Sequence, residues 1–500
     1  MAWDIKSCTE DVVGYIYSED GVYDPREISF TVLEGKRIEI GDIVCIEHPS
    51  KEGLPVFYQV IDVPLRRKAK DYEEDLVRIG TPLMDETRNY PRARAVQIGY
   101  YVEGEEEPRM LIEHIRPLSR VYRPSQIVLE ELLYPTQSSI VIGEIYPSFQ
   151  LRVELELPKL LRQGLLVVGG VGTGKTTTML TVLVRVIRKI MEEDGAPRVL
   201  IVDKDGEYGA EELINCVGQD MYVRVPIDVI YVDVFKDKDK FAQQLLRKLG
   251  YHDKRTKVAR TIYAIVQEFE DRELELSKTF IEQNILPRVI DEDVQAKVAS
   301  ALEKWHEETR EGIPLSNLMK LIHEKHIVHL DLSACRDVDH AFMILDEVLS
   351  RIYDTALNDE KFGCIIVIDE AHLFCPERGG IELSPYVKQL KKTIELIATT
   401  GPRNGVTPFM ATQRPSLISK TITTQLGQNI IAHRVEDIDL ERIKEIMGAV
   451  ARRTTILPRG WAIVKSQATK IRQPVIARIT AAAKPTSTGK TAYERFKMKR

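Results

Sequence analysis

The stretch from Leu165 to Thr177 joins an apolar run to a glycine-rich loop that ends in a lysine and threonines. Its letters GGVGTGKT fit the pattern G-x-x-x-x-G-K-[ST] of a phosphate-binding P-loop. Glycines let successive backbone N–H groups point at one anion, and the helix that follows adds the positive end of its dipole. The predicted nucleotide-binding residues are Gly170, Val171, Gly172, Thr173, Gly174, Lys175, Thr176 and Thr177.

Two of these residues have individual roles. Lys175 is predicted to be catalytic, reaching the β- and γ-phosphates of ATP, and the Thr176 hydroxyl is predicted to ligate Mg²⁺. A second GKT, at residues 489–491, lacks both the preceding strand and the first glycine of the pattern, so it is interpreted as a coincidence.

A second apolar run, Cys364–Ile368, ends in two carboxylates. Asp369 is predicted to hold the Mg²⁺ shell together with Thr176, and Glu370 to polarise the water that attacks the γ-phosphate. His372 lies close by in sequence and is either a relay or a packing residue.

Gln413 follows the predicted strand 407–412. Because ligands bind outside the carboxyl ends of parallel strands, its amide is expected beside the P-loop and the acidic strand end. A neutral amide there can sense the γ-phosphate and orient the attacking water.

Two arginines compete for the role of an arginine finger that acts in a neighbouring subunit's site. Arg403, in the loop GPRNG, is the preferred candidate and Arg414 the rival, since a guanidinium suits the charge that develops on the transferring phosphoryl group. Either arginine is also compatible with a surface or phosphate-backbone contact. In the run DKDGEY, Asp205 or Glu207 is predicted either to position water or metal or to cap a turn.

The pattern of strands and helices indicates how these residues are positioned. Residues 1–150 read as short strands separated by turns, which favours a closed barrel or a sandwich that serves as a docking module. The predicted strands there are 12–17, 27–33, 42–47, 57–63, 93–102 and 110–115.

Residues 151–235 and 326–480 are predicted to form an α/β core whose parallel sheet is covered on both faces. Its further strand candidates are 198–203, 229–234, 326–332, 364–369, 407–412 and 429–433, followed by a helix at 437–447, a hairpin through 460–464 and a strand at 474–479. Residues 236–325 are predicted to be an inserted helical bundle, with a structural role or a contact with DNA or neighbouring subunits. Residues 481–500 form a basic tail.

Composition sets broader bounds. The net charge of −6 does not indicate nucleic acid, although the last sixty or so residues are strongly basic. Six scattered cysteines, a polar N-terminus and the lack of a long apolar run predict a cytoplasmic protein with reduced thiols and no membrane span.

Taken in order, the motifs GGVGTGKT, VDKDGEYG, IVIDEAH, GPRNGV and ATQRPS resemble the HerA branch of the HerA–FtsK group of P-loop ATPases. The resemblance implies a RecA-like ATPase core preceded by a β-barrel. It also implies an archaeal, homohexameric helicase or translocase that uses ATP and Mg²⁺ on double-stranded DNA. A NurA-type nuclease docked on the barrel, and action in DNA end resection and repair, are further implications. The loop GPRNG departs from the Gly-Arg-basic-aromatic pattern of related proteins.

Two other functions are compatible with the motifs. One is an ATP-gated scaffold that assembles a nuclease without mechanical work, which is disfavoured because a passive switch does not need a water-activating glutamate. The other is a related pump at a membrane, which the lack of a membrane segment disfavours.

Overall fold

The computed structural model describes residues 5, 9–17, 23–63, 65–67, 89–102, 105, 107–209, 211–232, 238–251, 253–270, 273–308, 312–335, 337–377 and 384–485. The chain divides into two compact units. The first unit comprises Met1–Leu160, Gly169–Gly174 and Gln428–Ala481, and the second comprises Leu161–Val168, Lys175–Gly427 and Ala482–Arg500. Residues 486–500 of the predicted basic tail, with the second GKT, lie outside the described residues.

The first unit begins with a closed β-barrel. Its antiparallel strands follow the order β2-β1-β7-β3-β4-β6, and pairing of β2 with β6 closes the ring. Of the two folds that the sequence favoured, a barrel or a sandwich, the structure therefore shows the barrel. The strands are β1 Thr9–Ile16, β2 Glu27–Val32, β3 Ile43–Glu47, β4 Pro55–Asp62, β5 Leu65–Arg67 (beside β6), β6 Asn89–Gly99 and β7 Arg120–Pro124.

The barrel interior follows from the period of two in its strands. In β2 the side chains of Ile28, Phe30 and Val32 are buried, and their neighbours in sequence are more exposed. At Gly14 in β1 a Cβ would lie 2.3 Å from the carbonyl oxygen of Thr31, so the close approach of β1 to β2 requires glycine.

One predicted barrel strand is wrong. Residues 110–115 form no strand, and the strand that takes its place is β7. Met110 and Ile112 are exposed, whereas Leu111 and Ile115 are buried against the barrel core. Alternation of this kind also fits an irregular segment that covers one end of a core.

The first unit also contains an antiparallel sheet of order β18-β19-β20-β8-β9. Its strands are β8 Ser139–Ile145, β9 Arg152–Glu156, β18 Asn429–Ala432, β19 Trp461–Ser466 and β20 Val475–Ile479. The helices of this part of the chain are α1 Gln126–Leu133, α2 Leu157–Gln163 and α13 Asp437–Met447. Strand β8 therefore pairs with β20, and β9 pairs with β8, rather than with the strands of the barrel. The domain limits drawn from the sequence stay a prediction.

The second unit contains six parallel strands in the order β12-β15-β11-β16-β17-β10. They are β10 Leu165–Val168, β11 Val199–Asp203, β12 Tyr222–Pro226, β15 Ile327–Asp331, β16 Cys364–Ile368 and β17 Val406–Thr412. Strands β10, β11, β16 and β17 are buried along their whole length, as expected for a sheet covered on both faces. This is the RecA-like α/β fold, with its parallel sheet, that the sequence predicted.

Helices cover this sheet and form part of the chain segments that connect its strands. They are α3 Lys175–Glu192, α4 Glu211–Val217, α5 Lys238–Lys248, α6 Lys257–Gln267, α7 Lys278–Phe280, α8 Glu292–Glu308, α9 Leu315–Glu324, α10 Val338–Asn358, α11 Pro385–Thr400 and α12 Lys420–Leu426. In α6 the residues Val258, Ile262, Ile265 and Val266 are buried, which confirms the helical spacing that predicted it. None of the helices in the described part of the chain is long and apolar enough to cross a membrane.

The predicted core strand 229–234 is wrong. The sheet uses β12 instead, and Ile230–Tyr231 (β13) pairs with Ile313–Pro314 (β14). Residues 233–234 of the predicted strand lie outside the described residues. Strand β12 lies at the edge of the sheet, where its side chains are mostly half-buried or exposed, so it lacks the continuous apolar run of a central strand.

Candidate nucleotide site

Polar residues at the ends of three strands meet at one edge of the parallel sheet. Asp203 ends β11, Asp369 and Glu370 follow β16, and Gln413 follows β17. Helix α3 begins at Lys175, directly after the loop that follows β10. Because these strands are parallel, their carboxyl ends share one edge, and the site forms there.

Lys175 and Glu370 form a buried ion pair. The Lys175 Nζ lies 3.1 Å from the Glu370 Oε1, and 6% of each side chain is exposed. Burial by itself would raise the pKa of Glu370, but the hydrogen bond from His372 and the charge of Lys175 outweigh it and lower the pKa to about 2. Glu370 is therefore a carboxylate at neutral pH, as a general base must be.

Gln413 also binds Glu370. Its side-chain amide donates a hydrogen bond to Oε1, and its backbone N–H donates to Oε2 over 3.3 Å. The structure thus brings Lys175, Glu370 and Gln413 together around one carboxylate.

The backbone of Glu370 is left-handed, with φ of 47° and ψ of 44°. A residue with a Cβ rarely adopts this conformation, and such strain concentrates at functional sites where surrounding contacts hold it. The contacts from Lys175 and Gln413 supply that restraint.

His372 lies in the site rather than in a packing position alone. Its Nδ1 is 3.3 Å from the Glu370 Oε2 and 3.1 Å from the hydroxyl oxygen of Thr412. His372 therefore links the carboxylate after β16 to the end of β17.

Asp369 is almost fully buried, with 1% of the residue exposed. Burial raises its pKa to about 7, although the charge of Lys175 opposes the rise. Its Oδ1 accepts a hydrogen bond from the backbone N–H of Glu370 over 2.9 Å. A bound cation would favour the charged carboxylate here.

The hydroxyl of Thr176, the predicted metal ligand, donates a hydrogen bond to Oε2 of Glu207 over 2.8 Å. A threonine that binds a cation through its oxygen lone pair still has a proton to donate. Glu207 accepts this hydrogen bond here. The sequence did not decide between Asp205 and Glu207 for a role in the site.

Asp203, which the sequence-based site did not include, is the turn cap. Its Oδ1 accepts from the N–H of Gly206 (2.8 Å) and of Glu207 (3.2 Å), and its Oδ2 accepts from the N–H of Tyr208 (2.8 Å). His329 on β15 also contacts Asp203, because the His329 Nε2 lies 3.0 Å from the Asp203 Oδ2. The available sequence signal was an Asp at the end of an apolar run, followed by Gly at the third position.

The remaining P-loop residues form a tight turn. Gly172 and Gly174 have φ of 70° and 115°, and the Thr173 hydroxyl donates to the Gly170 carbonyl over 2.9 Å. Val171 is 82% exposed, and Thr177 in α3 is half-buried.

The two candidate finger arginines lie at opposite ends of β17. Arg403 is exposed in the turn Gly401–Asn404 that precedes the strand, and Arg414 is exposed just after it, next to Gln413. At about 3.3 Å per residue, a seven-residue strand separates them by roughly 20 Å. Arg403 is thus remote from the site of its own chain.

The donor set fits a magnesium ion bound to a nucleotide. Asp369 and Thr176 offer hard oxygen ligands, and Mg²⁺ usually takes its others from phosphate and water. The described residues contain no group of three or more His, Cys, Asp or Glu arranged to hold a metal by themselves.

Residues 140–352 match the family model described as "Helicase HerA, central domain". The chain thus contains a segment similar to the HerA central domain. This segment, less than half of the chain, includes the P-loop, β11 with Glu207, and the helical insertion. A comparison with curated proteins found no match.

Three solved structures illustrate the similarity of this chain to known folds. VirB4 of Thermoanaerobacter pseudethanolicus has 15% identity and a TM-score of 0.42, covering 70% of this chain and 98% of its own. The bacterial conjugative coupling protein TrwBΔN70 has 11% identity and a TM-score of 0.39, covering 73% and 95%. The genome packaging NTPase B204 from Sulfolobus turreted icosahedral virus 2, in complex with ATP-γ-S, has 13% identity and a TM-score of 0.30, covering 63% and 98%.

Proposed function

We propose that this protein hydrolyses ATP with Mg²⁺ and uses the energy to move double-stranded DNA. The observation that carries the proposal is the convergence of Lys175, Glu370 and Gln413 on one buried edge of the sheet. The match of residues 140–352 to the HerA helicase central domain supports DNA as the substrate of the motion.

The chain's own residues divide the work of hydrolysis. The loop 169–174 and the N-terminus of α3 bind the phosphates through backbone N–H groups, and Lys175 neutralises their charge. Glu370 accepts the proton of the attacking water, and Gln413 orients that water and the carboxylate. Bound Mg²⁺, held by Thr176 and Asp369, would neutralise charge that develops on the phosphates.

The finer proposal is an archaeal cytoplasmic homohexamer that acts as a helicase or translocase in DNA end resection and repair. In it the barrel docks a NurA-type nuclease, and Arg403 of one subunit completes the site of the next. The exposure of Arg403, its distance from its own site and the resemblance in motif order support this arrangement.

The deciding experiment is the steady-state ATPase rate with and without linear duplex DNA, followed by displacement of a labelled strand or a bound roadblock protein. We expect duplex to stimulate hydrolysis and the roadblock to be removed only with ATP. A basal rate unchanged by any DNA, together with ATP-dependent binding of a nuclease, would favour the ATP-gated scaffold.

A further inference from the structure

The loop after β11 is held rigidly against the nucleotide site. The buried carboxylate of Asp203 accepts hydrogen bonds from three consecutive backbone N–H groups, those of residues 206–208. His329 fixes this carboxylate from β15, and the hydroxyl of Tyr222 on β12 fixes the His329 Nδ1 over 2.7 Å. The side chains at 207 and 208 therefore have defined positions before any ligand binds.

Glu207 uses its position to orient the predicted metal ligand. Its Oε2 accepts a hydrogen bond from the Thr176 hydroxyl over 2.8 Å, and Thr176 is 8% exposed. With the proton directed at Glu207, the lone pairs of the threonine oxygen are free to face a cation. A hydrogen bond from a metal ligand to a neighbouring acceptor sets the direction and basicity of that ligand.

Tyr208 carries a second, independent observation. The residue is fully buried, and its hydroxyl has no hydrogen-bond partner within the described ranges. Tyr208 directly follows Glu207 in this loop, and its backbone N–H donates to the Asp203 Oδ2 over 2.8 Å. Burial raises the pKa of its hydroxyl well above the usual value. A buried hydroxyl without a partner is costly, so its position calls for a polar ligand.

We propose that Glu207 and Tyr208 form a third side of the magnesium site, beside Thr176 at the start of α3 and the strand end at Asp369. Glu207 directs Thr176 at the ion, and the Tyr208 hydroxyl donates a hydrogen bond to the ion's hydration shell. Magnesium keeps several waters when it binds, so it needs protein groups that bind water as well as groups that bind metal. Both are positioning residues rather than catalytic ones, and the inference rests on the proposed nucleotide site.

The test is a Mg²⁺ titration of the full-length protein with a fluorescent, non-hydrolysable ATP analogue, read as the Mg²⁺ concentration at half-maximal binding. We expect Tyr208→Phe and Glu207→Ala each to raise that concentration roughly 10–100-fold, the usual effect of losing an outer-shell partner. Glu207→Gln, which keeps an acceptor for Thr176, should recover much of the loss. Affinity for the analogue in EDTA should stay at the wild-type value.

The matched control is Tyr353→Phe, which removes a hydroxyl bonded to Thr400 in the helices of the same unit. It should leave the Mg²⁺ dependence unchanged. If Tyr208→Phe does not fold, the result for Glu207→Ala decides the test. Glu207 is half-buried, and Asp203 holds the loop through backbone N–H groups, so this variant should keep the loop in place.

The outcomes separate the two proposals. If the wild-type protein binds no analogue at any Mg²⁺ concentration, the proposed function fails. Suppose instead that the wild-type protein binds the analogue with a clear Mg²⁺ dependence, and that Tyr208→Phe and Glu207→Ala both reach half-maximal binding at the wild-type Mg²⁺ concentration. The nucleotide site then stands, and the third side of the magnesium site is refuted.

Discussion

The ammonium group of Lys175 lies 3.1 Å from a carboxylate oxygen of Glu370, although 195 positions separate the two residues in the chain. Each charge compensates the other in an environment where an unpaired charge would be costly. A triphosphate that binds the P-loop competes for Lys175 and changes the electrostatic environment of Glu370. The pair therefore couples occupation of the phosphate site to the state of the proposed general base.

Replacing Glu370 by glutamine tests its role as the base. We expect Glu370→Gln to bind ATP but to hydrolyse it roughly 10²–10⁴-fold more slowly, because the amide cannot accept a proton from water. Single-turnover hydrolysis and equilibrium ATP binding measure the two effects separately. The control Glu360→Gln changes an exposed acid and should behave as wild type. Near-normal turnover of Glu370→Gln would refute the assignment.

A charge placed at position 413 should change the pH dependence of hydrolysis. In Gln413→Glu a second carboxylate replaces the amide that donates to Glu370, and like charges raise the pKa of a carboxyl group. Since the base must be ionised, the acidic limb of the kcat–pH profile should move to higher pH, with kcat recovering as pH rises. Gln413→Ala removes the donor without adding charge and should shift the limb less. Identical acidic limbs for both variants and wild type would contradict this.

Mixing two inactive variants tests whether Arg403 acts in a neighbouring subunit. Arg403→Ala subunits retain an intact P-loop, whereas Lys175→Ala subunits retain the arginine. Mixed assemblies should regain part of the ATPase rate, because some interfaces then combine an intact loop with an intact arginine. A second mixture, of Arg414→Ala with Lys175→Ala subunits, tests the rival arginine in the same way. An inactive mixture at every ratio would show that Arg403 does not act across an interface.

The cap on the loop after β11 should contribute measurably to stability. In Asp203→Asn the amide nitrogen cannot accept the N–H groups that one carboxylate oxygen now accepts, so a buried donor loses its partner. The expected loss in the free energy of unfolding is about 1–3 kcal/mol, measured by urea titration. Asp354→Asn, at an exposed position on α10, should change it by less than about 0.5 kcal/mol. Equal stabilities would remove Asp203 from its role as the cap.

Strands with continuous apolar runs were predictable from the sequence, and edge elements were not. Strands β10, β11, β16 and β17 are buried on both faces, so hydrophobicity alone marks them. Strand β12 is half-exposed and carries Arg224, so the more apolar residues 229–234 were preferred in its place. Segment 110–115 shows the reverse error, an alternating pattern outside any strand.

The sequence by itself determined the chemistry of the site: a P-loop before a helix, two carboxylates after one buried strand and an amide after another. Those features are local, because spacing along the chain decides them. Only the tertiary structure decided which acid binds Thr176, that Asp203 caps the loop, and that the buried Tyr208 hydroxyl has no partner among the residues that the structure describes. Such contacts depend on the order of parallel strands in space, and no local pattern encodes which strand ends become neighbours.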